Sequence, residues 1–560
     1  MKLCFKFMVM LAVFIFGFTV HENIWANVLA GQLKITNPDT SEFDGDFTDG
    51  SGALLLFYLN DTASAVTVDI INAQTSISVF QIDAGSMSRG LNGVEWDGTG
   101  VQGGGEFVFS VTAEQPNAST TEWTVFYDSG DIDIFTRGVA IVKDQSDPNF
   151  GLIFTANDGG PLGTGINIYN SDGSKHDPFL VAADVGDGGT ITYGPDAPLF
   201  AILDWQGRVW VTLKDAGQIM RINRDYSAQV VIDGLTFPKG LYVEGEGEDF
   251  TVYVAADRQI LRANVGTDDT FPVGSMELIA DFSTFYPHQI ILDDDGALYT
   301  SLRTSNDLGS DGKGIRKYNI SGSLPVTDND AIWFLHEDRT FIANDLLLDH
   351  GSDPNSALDD LLYYVIRADA NNDQDGIWRV SDIHSFFPDT VRIVTEDKLY
   401  GSDENVNTRA TIDFDAAGNI VLTENANEHI FFCSPPGQGV TNSFTTTSPD
   451  TFTAAPTTGI DPSAASLANS YRLDANYPNP FNPSTTIKYH LAKSGYTTLK
   501  IFNTLGKEVR TLLEKQQTSG EYSIAWDGKD NRGSAVASGI YILELRSGQY
   551  QQSRRMTLLK

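Results

Sequence analysis

The middle of the chain repeats itself, and the repeat leaves few folds open. Its unit is a short apolar strand, an Asp/Gly turn, a second strand, then a third ending in a basic or polar residue. The clearest copies are PLFAILDWQGRVWVTLKDAGQIMRIN (198–223) and PKGLYVEGEGEDFTVYVAADRQILRAN (238–264). PHQIILDDDGALYTSL runs on to GIRKYN (287–319), and NDLLLDHGSD to LLYYVIRADANNDQDGIWRV (344–380). RATIDFDAAGNIVLTENANEHIFF spans 409–432, and a weaker copy runs from RGVAIVKDQSDPNFGLIFTAND to GINIYN (137–170). Starts at 137, 199, 239, 288, 344 and 409 are spaced by 62, 40, 49, 56 and 65 residues. Within each copy the apolar residues alternate, as in RVWVTL and ALYTSL, which is a strand pattern and makes the chain all-β. One such unit cannot bury both its faces, whereas six arranged radially can. The expectation is a six-bladed β-propeller over 118–440, with each apolar start innermost and the loop before it facing a central channel. A seventh, degenerate copy near 265–285 or 385–405 stays open, as does closure of the ring by a strand from 117–135.

The unit, roughly Pro-x-Gly-hydrophobic, Asp-x-x-Gly, strand, Ile-x-(Arg/Lys), resembles NHL-type and gluconolactonase/regucalcin-type propeller blades across about 120–440. That resemblance implies a channel holding calcium through Glu, Asn and Asp, with the metal positioning a lactone for hydrolysis.

The repeat itself places Arg137, Lys239, His288, Asn344 with Asp345, and Arg409 at the channel mouth. Asn344 and Asp345 match the lactonase pattern best. Arg137 stands where that family has Glu, and Lys239 and Arg409 add positive charge where a cation would sit. Bases of this kind suit an anionic or hydroxyl-rich ligand through charge-assisted contacts. His288 beside Asp345 would be a general base, making these two the candidate catalytic residues. Salt bridges lining a solvated channel are the plainer alternative. Elsewhere there is no G-x-S-x-G elbow, H-E-x-x-H or G-x-x-x-x-G-K-[ST]. In RADANNDQDGIW, Asn371, Asp373 and Asp375 followed by Gly376 have the alternating oxygens of a calcium loop. An acidic hairpin turn is the competing reading there. Asp293-Asp294-Asp295-Gly296 reads as a plain turn.

Outside the repeat, GVEWDGTGVQGGGEFVFSV is echoed by YSIAWDGKDNRGSAVASGIYILEL. The pairs Trp96/Trp526, Asp97/Asp527 and Gly98/Gly528 suggest two immunoglobulin-like β-sandwiches, at 31–117 and at the C-terminal end, similar to those of flagellar hook-capping proteins. In each, Trp would fill the core and Asp-Gly make the turn. The stretch 441–467, rich in Thr, Ser, Pro and Ala, reads as a linker.

Residues 468–560 resemble the type IX secretion C-terminal sorting domain. The matching segments are NYPNPFNPSTTIKYHLA (476–492), LKIFNTLGKEVRTLL (499–513), WDGKDNRGSAVASGIYILEL (526–545) and SRRMTLLK. The resemblance implies recognition by that system's outer-membrane translocon and sortase, then release or surface anchoring. Residues 1–30, with Lys2 and Lys6 before FMVMLAVFIFGFTV, read as a signal peptide cleaved after Ala26 or Ala30, with no transmembrane span in the mature chain. Only Cys433 remains after such cleavage, expected as a buried apolar residue. The net charge of −37 excludes nucleic acid as the main partner. Residues 470–560 carry 13 Lys+Arg against 7 Asp+Glu, so the rest is near −43. The resulting expectation is an exported, surface or secreted protein that binds a glycan, peptide or protein. The alternatives are a metal-dependent lactone or sugar-acid hydrolase, with Ca2+ as cofactor, and a purely structural surface protein.

Overall fold

The computed structural model describes residues 28–47, 52–101, 103–116, 122–130, 136–158, 164–176, 198–305, 312–335, 342–351, 359–367, 375–385, 388–400, 410–424, 429–436, 441–455, 472–473, 481, 483–491, 493–503, 507–518, 520–547 and 550–558. They fold almost wholly as antiparallel β-sheet, in two compact units.

The first unit contains the propeller. Six sheets follow one another along the chain, and their inner strands are Thr136–Ile141, Pro198–Leu203, Pro238–Glu244, Tyr286–Leu292, Ile342–Asp349 and Thr411–Phe414. These define blades one to six, and among the described residues the 265–285 and 385–405 stretches add no seventh. Phe271–Pro272 joins blade two in parallel, Glu277–Asp281 is the outer strand of blade three, and Asp389–Thr395 that of blade five. All six inner strands line a single central cavity of about 380 Å3. The ring closes by an exchange: Thr124–Asp128, early in the chain, pairs with Ile430–Ser434 as the fourth strand of blade six. Cys433 lies in that last blade, fully buried, and burial pushes its thiol up to about 12, so it is inert packing.

The neighbouring inner strands approach closely. A Cβ on Gly138 would lie 2.6 Å from the Ala201 backbone nitrogen, and one on Gly240 2.3 Å from the His288 carbonyl oxygen. Glycine follows Arg137 and Lys239 because blade meets blade there through bare backbone.

The N-terminal sandwich belongs to the same unit, and its boundaries differ from those expected at 31–117. One sheet has the order Ala30–Thr36, Ala53–Leu59, Gly90–Trp96. The other joins Ala63–Asn72, Ile77–Met87 and Gly105–Pro116 to Thr441–Thr447, with Phe452–Ala454 also on Gly105–Pro116. The first half of the expected 441–467 linker is therefore sheet. The Thr-rich NSFTTT is an alternating strand whose Phe444 side stacks on Phe150 of blade one, at 6.5 Å and 7°. Residues 456–467 lie outside the described residues. The propeller is thus an insertion between strands of one sandwich. The sandwich also begins before residue 31. Val28, Leu29 and Ala30 are at most 1% exposed, and Leu29 N–H donates to Asn60 Oδ1 at 2.8 Å. Cleavage after Ala30 would remove that anchor, whereas cleavage after Ala26 would keep it.

Sandwich and propeller are joined by polar and aromatic contacts. Asn60 Nδ2 donates to Asp415 Oδ2 at 3.1 Å, and the Arg89 guanidinium lies over the Tyr127 ring and donates to the Asp172 carbonyl.

The second unit is a smaller sandwich. One sheet has the order Arg472–Leu473, Thr485–Leu491, Gly520–Trp526, and the other Glu508–Gln517, Gly495–Asn503, Gly539–Ser547, Tyr550–Leu558. The echo between the two sandwiches extends to single bonds. Trp96 and Trp526 are buried, and each indole N–H donates to the carbonyl three residues on, at 3.1 Å to Thr99 and 3.0 Å to Lys529. Asp97 Oδ1 accepts Thr99 N–H, Asp527 Oδ1 accepts Lys529 N–H, and the Gly between takes φ of 79° or 67°.

Candidate functional site

The mouth residues expected from the repeat sit on backbone irregularities. In blades one to five the register between inner and second strand slips once, at the end of the inner strand that carries them. The slips enclose Arg137 in blade one, Leu199 and Phe200 in blade two, Lys239 in blade three, His288 in blade four and Asn344 in blade five. A bulge leaves one residue out of the ladder and re-aims its side chain. The N–H groups it frees are met from the second strand: Thr212 Oγ1 accepts Phe200 N–H at 3.2 Å, and Ser301 Oγ accepts Gln289 N–H at 3.1 Å. The Thr or Ser within VWVTL and LYTSL has this work to do.

The bulges bring Arg137, His288 and Asn344 together with Leu199, Phe200 and Arg303 around a space of about 10 Å3. Arg303 ends the second strand of blade four and was not singled out from the sequence. Its signal is a lone basic residue closing a run of otherwise buried strand, TSLR. It is 1% exposed, and its guanidinium donates to Asn344 Oδ1 at 3.1 Å, while Asn344 Nδ2 donates to the Ala410 carbonyl at 2.8 Å. Lys239 is also fully buried. Glu424, directly after the second strand of blade six, is fully buried as well.

His288 is the residue that most needs explaining. It is 2% exposed, and neither ring nitrogen has a hydrogen-bond partner. Burial, then Arg303, Lys239 and Arg137, hold its pKa well below 6.5, so it is a neutral imidazole among three cations. The Phe200 ring meets it edge-on at 5.3 Å.

Asp345 does not join it. Asp345 Oδ1 accepts from Gln289 Nε2 at 3.0 Å and Leu346 N–H at 2.9 Å, and Oδ2 accepts from Ile412 N–H at 2.9 Å. Its carboxyl thus clasps blades four and six to blade five, and burial raises it to about 7. Asp413 repeats the device on the next seam, accepting Ile141 N–H at 2.9 Å and Lys143 Nζ at 2.5 Å. The expected His288–Asp345 acid–base pair is therefore not formed. Nor do the residues fit a calcium ion at this mouth. Asn344 Oδ1 and both Asp345 oxygens already accept hydrogen bonds, and Arg137 and Arg303 line the space. Arg409 lies outside the described residues, as do Asn371 and Asp373. Asp375 is described, and is buried at the start of the strand Gly376–Ser381.

The opposite end of the channel is built from the turns after the inner strands, and it is acidic. The Asp that opens each Asp-x-x-Gly turn is used by the turn itself. Asp204 accepts Gln206 and Arg208 N–H, the Arg208 guanidinium and the Trp210 indole. Asp293 accepts Ala297 N–H, Tyr299 Oη–H and Lys317 Nζ. Asp415 accepts Ala417 and Asn419 N–H and two side-chain amides. Asp293-Asp294-Asp295-Gly296 is thus the turn expected of it, though only Asp293 carries the turn's bonds.

The family model described as the FlgD Ig-like domain matches residues 483–549. Among curated proteins none matches the chain in sequence. Among solved structures, a streptogramin B lyase is 13% identical, with 57% of this chain and 99% of that one covered and a TM-score of 0.36. The virginiamycin B lyase of Staphylococcus aureus is 17% identical, with 56% and 99% covered and a TM-score of 0.34. PorZ, a surface component of the type IX secretion system of Porphyromonas gingivalis, is 12% identical, with 91% and 69% covered and a TM-score of 0.33. Among the described residues no helix is long and apolar enough to cross a membrane.

Proposed function

We propose that this is an exported binding protein whose propeller receives the acidic tip of a glycan or peptide at the cationic mouth. The observation that carries the reading is His288, buried with both ring nitrogens unpartnered beside Arg137, Lys239 and Arg303. A buried polar group without a partner is costly, and the missing partner here has to accept hydrogen bonds and carry negative charge. A space of about 10 Å3 admits one carboxylate or sulfate oxygen, with the body of the ligand outside. Export rests on the signal-like 1–26 segment and on the sorting-domain resemblance of 468–560, which supports delivery to the cell surface or medium through the type IX translocon and sortase.

The test is calorimetric titration of the full chain with glucuronate, galacturonate and a short acidic peptide, each against its neutral amide or neutral sugar. Binding of an acid and not of its neutral counterpart is expected, weakened about tenfold or more in Arg303→Gln, as loss of a charged hydrogen bond requires. Affinity should rise as pH falls from 7.5 to 5.5, because a bound anion favours protonated His288. Equal affinity for acid and neutral forms would sink the proposal.

A further inference from the structure

We propose a divalent transition-metal site, with Zn2+ the expected ion, at Asp294, His350 and Asp360 on the acidic end of the propeller channel. One ligand atom from each of these residues lies within 4.8 Å of the others. They come from two blades. Asp294 is in the turn that follows the inner strand of blade four, His350 follows the inner strand of blade five, and Asp360 precedes that blade's second strand. The site is independent of the anion site at the other mouth.

Three features argue for a ligand rather than an ordinary acidic turn. The turn's hydrogen bonds are made by Asp293, so Asp294 is surplus to it. Asp360 is only 2% exposed, yet its Oδ1 has no hydrogen-bond partner, and Asp294 Oδ2 is likewise buried and unpartnered. The remaining atoms are already gathered: Asp294 Oδ1 bonds His350 Nδ1 at 2.6 Å, and Asp294 N–H donates to Asp360 Oδ2 at 3.2 Å. Two carboxylates with vacant oxygens facing one imidazole form an anionic, mixed O/N donor set. Calcium and magnesium take oxygen ligands, whereas imidazole with carboxylate suits zinc and its neighbours. Zn–O and Zn–N bonds of about 2.1 Å put two ligands at most about 4.2 Å apart. In zinc's tetrahedral geometry the same bonds put neighbouring ligands about 3.4 Å apart, so ligand atoms that now lie within 4.8 Å of one another have to close by up to about 1.4 Å, a shift the half-exposed His350 side chain has room to share.

Chelator-treated full chain titrated with Zn2+ should bind one equivalent, and Co2+ in its place should give the visible absorption of a low-symmetry site. His350→Ala, at a half-exposed side chain, should fold and lose at least tenfold in zinc affinity. Asp360→Asn should lose more. Calcium should not compete at equal concentration. With so acidic a chain, zinc binding alone proves little, so the His350→Ala comparison decides: unchanged affinity overturns the site, as does the absence of any zinc binding or full displacement by calcium.

Discussion

The two ends of the propeller channel are built by different means. The cationic mouth is made at β-bulges, where the ladder releases a residue and turns its side chain into the channel. The acidic mouth is made of Asp-x-x-Gly turns that close each blade on itself. Bulge positions vary from blade to blade, reading Arg, Phe, Lys, His and Asn, whereas the turn Asp does the same work in blades two, four and six. Variation within a fixed scaffold is what a recognition surface requires, and uniformity is what a closure requires. Asp294 and Asp360 stand out because they lie among the closures and each keeps a buried carboxylate oxygen without a partner.

The sharpest way to break this division is at the residue that sits beside the mouth but acts as a closure. Asp345→Ala leaves the Ile412 and Leu346 N–H groups and the Gln289 amide without their acceptor, and should cost about 3 kcal/mol in urea unfolding. His288→Phe, whose imidazole donates to nothing and accepts from nothing, should cost far less, leaving the midpoint unchanged or raised.

The same two residues should separate by pH. Asp345 is raised to about 7, so the folded protein binds its proton more tightly than the unfolded chain, and its contribution declines as pH rises from about 4 to 7. His288 is held below 6.5, so its contribution is intact above that value and is lost as pH falls below it. Stability curves should show His288→Phe flattening the acid-side loss and Asp345→Asn flattening the loss toward neutrality. Were both variants to shift the same limb, the assignment of the two groups would be wrong.

Across the seam between blades six and one, Lys143→Ala removes a half-exposed partner from Asp413 but leaves the Ile141 N–H bond. Its cost should be about 0.5 kcal/mol and should fade in high salt. A cost as large as that of Asp345→Ala would show that the charge, rather than the backbone bond, holds the seam.

Much of this was legible in advance, and the part that was not has a common cause. The repeat located every inner strand to within about two residues, because alternation and Asp/Gly turns are local properties of sequence. It also placed Arg137, Lys239, His288 and Asn344 at one mouth. What it could not show is which atoms are already engaged. Asn344 and Asp345 look like ligands by residue type, yet one holds Arg303 and the other the backbone of the next blade. Arg303 was missed because it ends a second strand, where the repeat gives no reason to look. NSFTTT has the composition of a linker, and its partner strand, Gly105–Pro116, lies more than three hundred residues earlier. Composition reports local preference and is silent about a neighbour so far away.

That distant pairing also sets an order in time. As the chain is made, Gly105–Pro116 has an open side until Thr441–Thr447 exists, with Phe452 reaching back to Phe107. Thr124 pairs with Ser434 and Pro116 with Thr441, so closing the ring and completing this sheet bring the same two stretches of chain together. The N-terminal sandwich therefore cannot complete its sheet until the whole propeller has been made. An unclosed ring leaves a bare strand edge ready to pair with another chain.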